Sequence, residues 1–69
     1  MGNLRYLKCN IKEIRQKKKI TQEQLSDATG ITIAQISRYE NNKIYANALN
    51  LWVIAEVLGS EVGELYSKE

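Results

Sequence analysis

The sequence predicts an all-α fold, a compact five-helix bundle that contains a helix-turn-helix. Proline is absent, and after residue 10 the β-branched residues do not alternate with polar residues as they would along a strand. Helix-start and helix-stop residues recur at short intervals instead. We expect one domain over residues 10–66. An N-terminal arm over residues 1–9, loose or folded as a short strand, precedes it, and a frayed tail over residues 67–69 follows it.

Polar residues mark the start of the first helix. Asn10 can cap this helix, and Glu13 at the third helical position would complete a pair resembling a capping box. Ile11 and Ile14 give the helix a buried stripe. We expect it to end near Lys18.

The second helix has both a start and a stop signal. Thr21 and Gln24 form a T-x-x-Q capping box, and Gly30 suits the left-handed residue that commonly follows a helix. Leu25 and Ala28 are expected to face inward.

A third helix follows almost at once. Thr32 and Gln35 form a second T-x-x-Q box only two residues after Gly30, so the second and third helices should cross at a steep angle. The third helix should end around Asn41 and Asn42. Asn42 can adopt the left-handed conformation more easily than most residues.

The last two predicted helices complete the core. The fourth begins after the capping residue Asn47 and ends at Gly59. Its inward stripe is formed by Leu51, Ile54, Ala55 and Leu58. A short fifth helix should run from about residue 61 to 66. We also assign Trp52 and Tyr39 to the core.

The composition excludes several classes of protein. Cys9 is the single cysteine and histidine is absent, so an internal disulfide and a Cys/His zinc site are both excluded. No apolar run approaches the ~18 residues of a membrane span, and the N-terminus lacks the apolar region of a signal peptide. We expect a cytoplasmic bacterial or phage protein that does not contact membranes.

Positive charge is concentrated in the N-terminal third of the chain. Residues 1–19 carry seven basic residues and one acidic residue, whereas residues 20–69 carry three basic and seven acidic residues. Such a basic segment can bind a polyanion, or it can be a solvated, lysine-rich helix end. Charge alone leaves both interpretations open.

The second and third helices together form a helix-turn-helix over residues 22–41. An α-helix fits the DNA major groove, where each base pair presents its own pattern of donors, acceptors and methyl groups. The second helix would brace the third and contact phosphates with its N-terminus. The outer face of the third helix carries small, apolar and hydrogen-bonding side chains, which suit base edges better than water alone.

The segment ITQEQLSDATGITIAQISRYENNK resembles the Cro/C1-type (XRE-like, lambda repressor-like) helix-turn-helix family of phage repressors and bacterial regulators. The resemblance extends from about residue 11 to 65 and also includes IKEIR in the first helix and the L-x-x-I-A-x-x-L-G pattern of the fourth. It implies a compact bundle of five helices that binds DNA. Lys19 departs from the family pattern, because glycine is usual there, and it must therefore adopt a left-handed conformation unless the first helix ends differently.

The resemblance also implies roles for individual residues. The base-reading positions, with their flanking residues, are Thr32, Ile33, Ala34, Gln35, Ser37 and Arg38. The DNA-backbone contacts matched to the family are Gln22, Asn41 and Lys43, and Arg15 with Glu40 matches a structural ion pair. Charge adds Lys17 and Lys18, and Arg15 can also orient toward a phosphate. Arg38 can donate two hydrogen bonds to guanine O6 and N7, whereas Ile33 and Ala34 suit thymine methyl groups.

A second apolar stripe lies on the fourth helix, outside the core stripe. Leu49, Val53 and Val57 recur at intervals of four residues. This stripe either packs against the arm or the fifth helix, or forms a two-fold dimer interface together with Val62 and Tyr66.

The predicted function is sequence-specific DNA binding by a transcriptional regulator, with repression favoured over activation. A homodimer would bind double-stranded DNA at a pseudo-palindromic operator, with half-sites roughly 34 Å apart. No enzymatic activity, metal, cofactor or small-molecule ligand is expected. The alternatives are a protein-interaction module such as an antitoxin, or a restriction–modification controller protein of the same fold.

Overall fold

The computed structural model describes residues 7–68, which contain four α-helices, one 3-10 turn and two short strands. The elements are β1 (Leu7–Cys9), α1 (Ile11–Lys17), α2 (Gln22–Thr29), α3 (Ile33–Glu40), α4 (Ala48–Leu58), the 3-10 turn (Val62–Glu64) and β2 (Tyr66–Lys68). The chain is therefore mostly helical, as predicted. The prediction of five helices is wrong, because the last helical segment is a single turn, after which the chain becomes extended.

The two ends of the described chain form an antiparallel ribbon. Leu7 lies opposite Lys68, and Cys9 lies opposite Tyr66. Ser67 and Lys68 thus belong to a strand, where a frayed tail was expected. Of the predicted arm, residues 7–9 form β1, and residues 1–6 lie outside the described residues.

Asn10 occupies the N-cap position of α1, as predicted, but the predicted capping hydrogen bonds are wrong. Its side chain makes no capping bond to α1 and instead donates to the Glu64 carbonyl at 3.2 Å and to Ser67 Oγ at 3.3 Å. The same residue's backbone N–H donates to the Leu65 carbonyl at 2.7 Å. Asn10 therefore joins α1 to the C-terminal segment.

The end of α1 confirms the left-handed conformation of Lys19, which has φ of 59°. The backbone N–H of Ile20 donates to the Arg15 carbonyl at 3.0 Å, which closes the turn. Asn42 is the left-handed residue that follows α3, also with φ of 59°. Both residues stand where glycine is usual at a helix end.

Local signals place α2 and α3 as predicted. Thr21 Oγ1 accepts from the Gln24 N–H at 3.0 Å, and Gln24 Oε1 accepts from the Thr21 N–H at 2.9 Å. Gly30 is left-handed, with φ of 79°. Thr32 Oγ1 then accepts from the Gln35 N–H at 3.1 Å, but the Gln35 side chain bonds to Tyr39 and does not complete the predicted box.

The core lies between the helices and beneath the ribbon. It consists of Cys9, Ile11, Leu25, Ile31, Ile36, Tyr39, Ala46, Ile54, Ala55, Leu58 and Leu65. Of the residues predicted to face inward, Ile14 and Leu51 are partly buried and pack against this core, whereas Ala28 and Trp52 lie outside it. Ala28 is exposed, and the Trp52 side chain is on the surface, with 63% of its area accessible. Along the part of the chain that is described, no helix is both long and apolar enough to cross a membrane.

Candidate nucleic-acid interface

Helix α3 has a buried face and an exposed face. Ile36, Tyr39 and Glu40 are buried against the rest of the domain. On the opposite side, Thr32, Ile33, Ala34 and Arg38 are exposed, whereas Gln35 and Ser37 are half-buried. Burial of one face fixes the rotation of the helix about its axis. Of the six residues predicted to read bases, four are therefore exposed.

The two half-buried residues are held by hydrogen bonds. Gln35 Nε2 donates to the Tyr39 hydroxyl at 3.3 Å, and Ser37 Oγ accepts from Asn41 Nδ2 at 3.2 Å. The Tyr39 hydroxyl also accepts from Asn50 Nδ2 at 2.7 Å, which joins α3 to α4. Asn50 was not predicted from the sequence, because its partner lies eleven residues away on another helix.

A buried ion pair fixes α3 to α1, as the resemblance predicted. Arg15 Nε donates to Glu40 Oε2 at 2.7 Å, and Arg15 Nη2 donates to Glu40 Oε1 at 3.1 Å. Arg15 Nη1 donates to the Ile20 carbonyl at 2.9 Å. Because all three guanidinium nitrogens donate within the domain and the side chain is buried, the structure supports the ion pair more strongly than a phosphate contact by Arg15.

Gln22 extends this network to α2. Its Nε2 donates to Glu40 Oε1 at 2.9 Å. The Glu40 carboxylate, on the last residue of α3, therefore accepts hydrogen bonds from Arg15 on α1 and from Gln22, the first residue of α2. The sequence predicted a DNA-backbone contact for Gln22 and did not predict this bond, which connects α2 to the pair that joins α1 and α3.

The predicted backbone cations have different surroundings. Lys17 and Lys43 are exposed. Lys18 is directed toward the C-terminal end of α4, since its Nζ lies 3.6 Å from the position that a Cβ on Gly59 would occupy. A cation at that end of a helix interacts favourably with the helix dipole. Lys18 is thus exposed like the other two lysines, and its ammonium group lies beside the end of α4.

A shallow depression lies between the end of α1 and the start of α2. It is lined by Lys12, Arg15, Gln16, Lys19, Ile20, Thr21 and Gln22. Basic side chains therefore border the N-terminus of α2, where backbone N–H groups and the helix dipole favour an anion. This depression brings part of the basic N-terminal third beside the helix-turn-helix.

The residues predicted to form a dimer interface do not share one exposed face. Val57, Val62 and Tyr66 are half-buried and pack against the core of their own domain. Leu49 is 71% exposed, and Val53 is partly exposed on the same helix. The apolar surface of α4 is therefore formed by Leu49, Trp52 and Val53, a group that we name the α4 patch.

Tyr66 is engaged inside the domain. Its hydroxyl accepts from the Ala46 N–H at 3.1 Å, and its ring meets Tyr45 edge-on, with ring centroids 5.6 Å apart. Burial raises the pKa of the Tyr66 hydroxyl to about 12. Burial also raises the pKa of the Cys9 thiol above its ordinary value of 9.0. Both groups therefore favour their neutral forms.

Comparison with known proteins agrees with this architecture. A family model described as helix-turn-helix (HTH_3) matches residues 11–65, which include all four α-helices and the 3-10 turn. Comparison with the curated proteins gave no match. The members of the matching family are typically regulators that bind DNA and are not enzymes. The chain belongs to the XRE/Cro-C1-type helix-turn-helix family of DNA-binding regulators.

Proposed function

We propose that this DNA-binding regulator is a transcriptional repressor that binds a pseudo-palindromic operator as a homodimer. The observation that carries the proposal is the exposed outer face of α3. Its inner face is buried and its last residue is fixed by the Arg15–Glu40 pair. The side chains it offers are thereby oriented before DNA arrives, which reduces the entropic cost of binding.

The exposed side chains suggest how bases would be read. Arg38 can donate a pair of hydrogen bonds to guanine O6 and N7, a contact worth about 1–3 kcal/mol of discrimination. Ile33 and Ala34 can contact the methyl group of thymine. Thr32 lies beside them at the N-terminal end of α3. The half-buried Gln35 and Ser37 would contribute from the edge of this face.

Phosphate contacts would come from both sides of α3. Asn41 and Lys43 follow the helix and are exposed, and Lys17 is exposed at the end of α1. The basic depression at the N-terminus of α2 offers a further position for a phosphate. Such contacts position the protein and make its affinity depend on salt, but they carry no sequence information directly.

Dimerisation would proceed through the α4 patch. Leu49 and Trp52 expose most of their side-chain area, and they lie one turn apart on the same helix. Exposed apolar surface of this kind is typical of an interaction site. A homodimer that reads a pseudo-palindrome must place its two α3 helices on successive major grooves, about 34 Å apart.

Selection from a random duplex pool tests the proposal. The full chain is incubated with the pool at near-physiological salt, and bound duplexes are amplified and sequenced over several rounds. Enrichment of an inverted repeat with a fixed half-site spacing is the expected result. Enrichment of a single half-site would contradict the dimer, and absence of any enriched motif would contradict operator recognition.

The α4 patch also favours a second candidate function, a protein-interaction module such as an antitoxin. In that case the patch would bind a different protein, and DNA preference would be weak. The same selection distinguishes the two functions, because only the regulator predicts a strong inverted repeat.

A further inference from the structure

We propose that the ribbon of β1 and β2 is a positioning element for DNA binding, and that Asn42 is the positioning residue through which it acts. The inference rests on the proposed function, since it concerns the segment that would contact phosphates after α3. That segment, residues 41–46, is named here the post-α3 loop. It connects α3 to α4 and carries Lys43.

The ribbon is attached to the post-α3 loop near both of its ends. At one end, Asn42 Oδ1 accepts from the Cys9 N–H at 2.9 Å. At the other, the Ala46 N–H donates to the Tyr66 hydroxyl at 3.1 Å. Cys9 and Tyr66 are directly opposite each other in the ribbon. One cross-strand pair therefore supplies both attachments.

Further contacts connect the middle of the loop to the same strands. The Leu7 N–H donates to the Tyr45 hydroxyl at 3.2 Å, and the Tyr45 ring packs edge-on against Tyr66. Lys43 lies between the two attachments, is exposed, and donates its backbone N–H to the Arg38 carbonyl at 2.9 Å. The ribbon thus restrains the backbone on both sides of a cation that is open to solvent.

Asn42 meets two requirements, a left-handed backbone and a side-chain hydrogen-bond acceptor, and glycine meets only the first. Its φ of 59° is left-handed, and glycine adopts that conformation at no steric cost. Glycine has no side-chain oxygen, however, and could not accept from the Cys9 N–H. The asparagine therefore ends α3 and joins the loop to β1 at the same position.

Attachment to the ribbon would lower the conformational-entropy cost of phosphate binding by the post-α3 loop. A loop that is already ordered gives up less conformational entropy when it contacts DNA than a loop that is free. Both attachments are on the post-α3 loop, at Asn42 and Ala46, so their effect should be on phosphate contacts and not on base preference. Removal of the Asn42 bond should weaken binding to all duplexes alike.

A matched pair of substitutions tests the inference. Asn42→Gly removes the 2.9 Å bond to Cys9 but permits the left-handed backbone. The control, Asn47→Gly, is the same change five residues later and removes the 2.8 Å bond to the Asn50 N–H, which has no connection to the ribbon. The affinity of each variant for the selected duplex is measured against salt concentration. Lys43→Ala is measured beside them.

We expect Asn42→Gly to weaken binding by the same factor at every salt concentration, because the loop loses order while Lys43 keeps its charge. Lys43→Ala removes the charge, so its slope of log affinity against log salt should become shallower by about 0.9 for each phosphate that a protomer no longer neutralises. The preferred sequence should stay the same in both variants, and Asn47→Gly should keep the wild-type affinity and slope. Wild-type affinity in Asn42→Gly, together with a shallower slope in Lys43→Ala, would overturn the inference while leaving the proposed function intact.

Amide hydrogen exchange in the absence of DNA gives an independent readout. Faster exchange at Lys43 and Ala46 in Asn42→Gly, but not in Asn47→Gly, is the expected result, because exchange reports local opening. Equal exchange in both variants would overturn the inference whatever the DNA measurements show. Failure of the wild-type protein to bind any duplex would contradict the proposed function separately.

Discussion

Arg15 and Glu40 join the first and third helices through two nearly parallel hydrogen bonds, at 2.7 and 3.1 Å. The pair is buried, and the Glu40 carboxylate also accepts from Gln22 at the start of α2. Helices α1, α2 and α3 are therefore connected through a single carboxylate. The geometry of the helix-turn-helix depends on this contact as well as on apolar packing.

Removal of either charged partner should destabilise the domain strongly. Glu40→Gln leaves the guanidinium of Arg15 buried without a counter-charge, and such a change typically costs about 3–5 kcal/mol. Urea unfolding measures this destabilisation. The control is Glu13→Gln, because Glu13 pairs with Lys8 at 3.8 Å on the exposed surface, where an ion pair is worth about 1 kcal/mol or less. Equal destabilisation of the two variants would contradict a special role for the buried pair.

Lys19→Gly should stabilise the domain. Lys19 has φ of 59°, a conformation that costs an ordinary residue roughly 1–2 kcal/mol and costs glycine nothing sterically. After allowance for the greater freedom of glycine in the unfolded chain, we expect a gain of about 1 kcal/mol, which raises Tm by about 4–8 °C in a domain of this size. Thermal unfolding measures this change.

Lys17→Gly provides the control for that substitution. Lys17 is the last residue of α1, and glycine inside a helix is destabilising by about 1 kcal/mol. The two substitutions remove the same charged side chain two residues apart, yet they should shift Tm in opposite directions. A shift in the same direction would show that the removal of charge, and not backbone conformation, controls stability here.

Stability should fall as the pH rises from about 10 to 12. The pKa of Tyr66 is raised to about 12 in the folded protein, above its ordinary value of 10.0. Between these values the folded state holds a proton that the unfolded state has released, so the free energy of unfolding decreases with pH. Tyr66→Phe should flatten this decrease.

The alkaline measurement requires two proteins that differ at Tyr66 alone and that both lack the Cys9 thiol. Burial also raises the pKa of the Cys9 thiol, so Cys9→Ala is used as the reference and Cys9→Ala/Tyr66→Phe as the test variant. Urea unfolding at several pH values gives the slope for each. Identical slopes would contradict the burial of the Tyr66 hydroxyl.

The fluorescence of Trp52 should report dimerisation. Trp52 is the single tryptophan of the chain and 63% of its side chain is exposed. At low concentration its emission should resemble that of tryptophan in water, and it should shift to shorter wavelength as the concentration rises and the α4 patch is covered. Leu49→Glu should abolish this shift. Emission that does not depend on concentration, with a monomer in sedimentation, would contradict dimerisation through the patch.

The sequence predicted best the features that depend on neighbouring residues. The capping box of Thr21 and Gln24 and the left-handed Gly30 follow from local backbone chemistry, which is visible in a few residues. The left-handed conformation of Lys19 was predicted by comparison with the family pattern, in which glycine is usual at that position. The Arg15–Glu40 pair is not local, and it was predicted from a family resemblance. Local rules alone would not have paired these two residues.

The failures have physical causes. The ribbon joins residues at opposite ends of the chain through strands of only three residues, which are too short to show alternation. Trp52 was assigned to the core because α4, with the sequence ALNLWVIAEVL, is apolar on most sides. Helical periodicity then does not separate the buried face from the exposed one. Capping hydrogen bonds were predicted for Asn10 because the sequence does not show that the C-terminal segment lies beside it.

The most direct test of base reading by α3 is a complete comparison of single-base variants of the selected half-site. Affinities of the wild-type protein and of Arg38→Ala are measured for every variant at one salt concentration. We predict that Arg38→Ala loses about 1–3 kcal/mol of discrimination at one base pair per half-site and keeps the wild-type preference elsewhere. An unchanged preference at every position would contradict base contact by Arg38 and, with it, the proposed orientation of α3 in the major groove.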